Sequence, residues 1–212
     1  MRLLPRVPSD TRALGAAMAV VALLAAGGCG STSEDTASDS ASTSEAPTED
    51  APSEEESTTA EDGAVQGDGY TLSVPEGWTD LSEEAADVPE LAMADLAYGD
   101  TSERGFASNL NTIVTPADGD TVDDPGVRAQ LADQVEQALN VRPEPIADVE
   151  FDGEKGIGQT ATVRRPDVIL MQYVTVHEDK VYTLTVTLSA ARAAESEELV
   201  AGVVDSWQWS DG

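Results

Sequence analysis

The residue types in this chain that could do chemistry are few and scattered. His177 is the only histidine in 212 residues, so a serine hydrolase would have to take its base there, with Glu178 or Asp179 to orient the imidazole. No Gly-x-Ser-x-Gly elbow accompanies it, and its place next to a predicted hairpin turn reads as exposed. A structural or incidental histidine is the simpler account. Asp118, Asp120, Asp123 and Asp124 could offer oxygens to calcium, but they lack EF-hand spacing and its terminal glutamate. A solvated loop explains them as well. Zinc would have one histidine and no free thiol, so the sequence implies no metal and no cofactor. Gly153-Glu-Lys-Gly-Ile-Gly158 lacks phosphate-loop spacing and reads as a turn between strands. Asn109 and Asn111 stand two apart on a predicted strand, hence on one face. Their amides either hydrogen-bond a ligand or partner strand, or satisfy neighbouring backbone in the core. Trp207 and Trp209 pose a similar alternative, core closure or an exposed binding anchor.

The only thiol is Cys29. Ahead of it stand Arg2, Arg6 and Arg12, then an uncharged run from Ala13 to Ala26, then Gly27-Gly28. A basic start, a short apolar stretch and small residues read as a secretory signal peptide over residues 1–28. As a helix the uncharged run rises ~21 Å, short of a ~30 Å bilayer core. A lone thiol in an exported chain has no internal partner and needs another use. Its setting resembles the lipobox of bacterial lipoproteins, with Ala26 where that motif usually carries leucine. The resemblance implies a diacylglyceryl group on Cys29 and cleavage that leaves it as the new N-terminus. The expected location is the cell membrane, lipid-anchored on the extracytoplasmic face. Each methylene buried in the bilayer contributes ~0.8 kcal/mol, and two acyl chains anchor far better than one.

Residues 29–66 read as the lipidated cysteine and a disordered tether. From Gly30 to Gln66 there are eleven acidic residues, no basic ones, and no Leu, Ile, Phe, Met, Tyr or Trp. Such a segment buries too little apolar surface to offset its ordering entropy. As a random coil it spans ~30–36 Å, and like charges extend it. Its Ser, Thr and Pro content also suits O-linked sugars. Of the formal charge of −30, the segment from residue 67 to 212 carries −21. That balance excludes nucleic-acid binding by phosphate neutralisation and predicts repulsion from anionic head groups.

Residues 67–212 suit one domain. Tyr70–Val74 alternates as a first strand and ends at Pro75-Glu-Gly-Trp78. A short helix near Ser82–Ala86 and a strand near Leu91–Tyr98 follow. Phe106–Thr115 is a strand with Leu110, Thr112 and Val114 on one face and Asn109, Asn111 and Ile113 on the other. Asp124-Pro125 starts a helix whose apolar stripe is Val127, Leu131, Val135, Ala138 and Leu139. Ile157–Arg165, Val168–His177 and Val181–Ser189 read as an antiparallel meander. In its last strand the face bearing Thr183, Thr185 and Thr187 is expected to be the wetter one. A helix over Ala193–Ser206, with Leu199 and Val203 on one stripe, precedes the tryptophans. The class is α+β, an antiparallel sheet flanked by helices.

"YTLSVPEGWTDL" at Tyr70–Leu81 and "GFASNLNTIVTP" at Gly105–Pro116 resemble the opening of PsbP-like domains, including the LpqN type of actinobacterial lipoproteins. The order of elements over residues 69–210 is similar too. The resemblance implies an α/β/α sandwich and non-catalytic accessory roles at membranes, and it carries over no substrate or catalytic residue. The expectation is therefore a non-enzymatic binding module of the cell envelope, membrane-bound through Cys29 and with an envelope protein as partner. A carrier of a small apolar ligand or lipid is the alternative, and a hydrolase a distant third.

Overall fold

The computed structural model describes residues 63–86, 88, 92–119 and 121–210. The expected signal peptide, Cys29 and the expected tether as far as residue 62 lie outside the described residues, as does Asp120. Tight turns organise the chain. β1 (Ala64–Gly67) and β2 (Tyr70–Ser73) form a hairpin about Asp68-Gly69. β6 (Glu144–Phe151) and β7 (Glu154–Arg164) do so about Asp152-Gly153, both at positive φ. That geometry suits the twist of a two-residue hairpin and favours Asp-Gly. β8 (Asp167–His177) and β9 (Lys180–Ser189) complete the meander in register, Gln172 opposite Thr185 and Tyr173 opposite Leu184. β3 (Thr79–Asp80), β4 (Ala94–Gly99) and β5 (Asn109–Pro116) extend the sheet to the order β3-β4-β5-β9-β8-β7-β6. β10 (Gln208–Trp209) pairs with β2, making a second sheet of order β1-β2-β10.

Each face of the large sheet is covered, and that gives the layers. On one face Leu110, Met171, Tyr173, Leu184, Val186 and Leu188 meet the small sheet and α3 (Ser196–Asp205), through Tyr70, Leu72, Val200, Val203, Val204 and Trp207. Fully burying one such aliphatic side chain contributes ~1.5–3 kcal/mol. On the other face α2 (Pro125–Leu139) seats Val127 and Leu131 on Ile157, Val174 and Val181, and Val135 on Ala161 and Leu170. α1 (Ser82–Ala86), with Leu81 at its entry, covers Ala97 on the same face. The protein is α+β, an antiparallel sheet with helices on both sides.

Several details differ from the sequence reading. Ala64 to Gln66, assigned to the tether, form strand β1 together with Gly67, so the folded chain begins before residue 67. β6 had no periodic signal, because it is a half-exposed edge strand whose register shifts between Ile146 and Val149. Glu154 to Gly158 belong to β7, and only Asp152-Gly153 make the turn. The last helix divides into a 3-10 turn over Ala190–Glu195 and α3. Thr183, Thr185 and Thr187 are buried and not wet, because α1 and α2 both lie on their face.

Candidate functional site

Between α2 and strands β7–β8 lies a cleft of about 220 Å³. Leu131, Pro143, Pro145, Ile157 and Val174 make apolar walls, and Gln159 and Gln172 put amides among them. Arg128 and Arg142 stand at its rim. Arg128 donates to Gly158 O at 3.3 Å and pairs with Asp148. Its hydrogen bond holds the Asp148 carboxyl below the usual carboxylate range, with help from the Lys155 charge. Arg142 pairs with Asp133 at 3.0 Å and Glu136 at 2.5 Å. Both guanidiniums are thus neutralised by the domain's own acids, and the cleft is not an anion trap.

Register explains how the amides come together. Gln159 faces Gln172, Gln172 faces Thr185, Thr185 faces Asn111, and Asn111 faces Ala97. Directly opposed residues of an antiparallel sheet share a face, so a polar row crosses β7, β8, β9 and β5 beneath the helices. Gln159 Nε2 donates to Leu131 O at 3.3 Å and to Gln172 Oε1 at 2.7 Å, tying the row to α2.

The residues singled out from sequence are placed as follows. Asn109 and Asn111 share a face, as their spacing requires, and both are buried. Asn109 donates from Nδ2 to Ala107 O at 2.9 Å. Trp207 is 2 % exposed, stacked on Tyr70 at 4.1 Å and edge-on to Phe151 at 5.0 Å; it closes the core. Trp209 is half-buried, donates from Nε1 to Phe151 O at 3.0 Å and stacks on His177 at 4.1 Å. His177 is therefore partly covered rather than exposed, and its Nδ1 faces Glu154 Oε1 at 3.5 Å without a hydrogen bond. Asp124 caps α2 by accepting from Gly126 N at 2.7 Å, and Asp123 pairs with Lys155 at 3.0 Å. Among the described residues no group of His, Cys, Asp and Glu is placed to hold a metal ion. Cys29 lies outside the described residues.

Sequence reading missed Gln159 and Gln172. A signal existed: Gln172 is the only amide in the otherwise apolar run from Val168 to Val174, where an unpaired amide is costly to bury.

The PsbP family model matches residues 64–209. No curated protein matches the chain in sequence. Among solved structures, cyanobacterial PsbP (CyanoP) from Synechocystis sp. PCC 6803 shares 18% identity at a TM-score of 0.52, over 72% of this chain and 96% of that one. That likeness shows the fold. The Ran-binding protein Mog1p of Saccharomyces cerevisiae aligns at 14% identity and a TM-score of 0.45, over 68% of this chain and 91% of that one. LpqN of Mycobacterium tuberculosis, involved in cell envelope biogenesis, aligns at 11% identity and 0.43, over 68% and 86%.

Proposed function

From the premise that this chain belongs to the PsbP family across residues 64–209, we propose that it is a lipoprotein anchored through Cys29 on the extracytoplasmic face of the cell membrane. Its domain acts there as a non-catalytic binding module of the envelope. The observation that carries this reading is the order of parts: a basic and apolar leader, Gly27-Gly28-Cys29, an acidic stretch, then a family domain that begins at Ala64. His177, the base that a serine hydrolase would have to use, is held in a structural contact. It lies flat on Trp209, and no hydroxyl is hydrogen-bonded to it among the described residues. Confinement to the membrane plane raises the local concentration of the domain, so weak contacts with membrane-bound partners suffice.

Cys29→Ser should move the protein from the membrane fraction to the soluble fraction, and intact-mass measurement of native material should show an acylated N-terminal cysteine. A bare thiol, or a Cys29→Ser protein that stays with the membrane, would overturn the anchor. Cross-linking the anchored protein and identifying what co-purifies tests for the partner.

One observation favours a second reading, a carrier of a small ligand. The α2 cleft has apolar walls and polar groups converging within it, as binding sites do. At about 220 Å³ it falls below the ~300–1,000 Å³ of sites for drug-sized ligands, so the cargo would be smaller than a whole lipid.

A further inference from the structure

The amides in the α2 cleft have hydrogen-bonding groups that the fold leaves unused. Leu131 O only accepts, so the Gln159 atom 3.3 Å from it is the amide nitrogen. That orientation fixes the next, because the same nitrogen donates to Gln172, which must offer its oxygen at 2.7 Å. Gln159 Oε1 and Gln172 Nε2 are then left without a hydrogen bond among the described residues, although the two residues are only 8 % and 3 % exposed and both line the cleft. Thr185, opposite Gln172 and 2 % exposed, has a hydroxyl with no partner among the described residues. Each fully buried polar group left unbonded costs about 1–3 kcal/mol, a cost that falls on the Thr185 hydroxyl, while the two glutamines line the cleft. Their free hydrogen-bonding positions stand at the cleft wall, where a ligand could meet them.

We propose that the α2 cleft binds a small neutral molecule with an apolar body and an amide or alcohol head, the head seated between Gln159 Oε1 and Gln172 Nε2. This rests on the small-ligand carrier reading. The head must give a hydrogen to Gln159 Oε1 and accept one from Gln172 Nε2. Amides and alcohols do both, whereas a carboxylate has no hydrogen to give and would meet the Gln159 oxygen with like charge. The rim offers an anion little, because Arg128 and Arg142 are already paired with Asp148, Asp133 and Glu136. The body packs on Leu131, Ile157 and Val174. The cleft of about 220 Å³ equals roughly seven water volumes at ~30 Å³ each, enough for a short-chain compound.

The test uses the full chain carrying Cys29→Ser, which avoids detergent, titrated with hexanamide, hexanol, hexanoate and cyclohexane and followed by NMR. Hexanamide and hexanol should shift the side-chain amide signals of Gln159 and Gln172, and hexanoate should bind at least about tenfold more weakly. Gln172→Leu should weaken hexanamide by about tenfold, the worth of one good hydrogen bond, while its NMR spectrum stays that of the folded sheet. Equal affinity for cyclohexane and hexanamide, or unchanged hexanamide affinity in Gln172→Leu, would refute the head selection and leave a carrier of apolar cargo. Preferred hexanoate binding would also refute it. No shift with any probe would overturn both the selection and the carrier reading. Should Gln172→Leu fail to fold, the ratio of hexanamide to hexanoate affinity in the parent chain decides alone.

Discussion

Tyr70 shows how much one side chain can hold. Its ring is fully buried and stacks on Trp207, and its hydroxyl donates to Asp95 Oδ2 at 2.8 Å and shares a hydrogen bond with Thr112. Burial, and then the Asp95 charge, push the phenol pKa far up. The folded state thus keeps a proton that the unfolded chain releases near pH ~10. Stability from this group is complete below that pH and falls as pH rises above it. Tyr70→Phe should lower stability at neutral pH by about 1–3 kcal/mol and flatten the alkaline fall, as read from urea unfolding at stepped pH. An alkaline slope equal to that of the parent would contradict the assignment. At this scale the sequence was half legible. Spacing showed that Asn109 and Asn111 share a face, but not that the face is buried, since alternation marks two sides of a strand without saying what covers each.

Among the elements, α2 was the most legible because its signals are local. Asp124 caps it, proline follows, and Asn140 ends it in the left-handed region at φ 53°. Asp124→Ala should cost about 0.5–2 kcal/mol, measured by denaturant unfolding. Asp123→Ala, which removes only an exposed pair with Lys155, should cost no more than about 1 kcal/mol. Equal losses would show that the cap contributes nothing of its own. β1, β6 and β10 were not legible, because short or edge strands have little apolar alternation and owe their form to a partner strand. β10 exists only as pairing with β2, Trp209 opposite Tyr70. The Asp-Gly pairs at 68–69 and 152–153 were the available hints, each marking a hairpin between strands too polar to announce themselves.

For the whole molecule, charge sets what it avoids. With a formal net charge of −30, the full chain should pass a heparin column unretained at low salt, and retention that weakens as salt rises would refute the exclusion of polyanion partners. The sequence by itself determined the acidic stretch, the α+β class and the main helices and meander. These depend on composition, on turn residues and on repeats within a dozen neighbours, all of which act locally. Only the tertiary structure decided that β9 is covered on both sides, that the two tryptophans part company, and that Gln159, Gln172, Thr185 and Asn111 meet in one row. Those outcomes depend on which strand lies opposite which, as Asn111 lies opposite Thr185, and on α2 folding back over them. Long-range pairing emerges from the burial of the whole sheet, and no short stretch of residues encodes it.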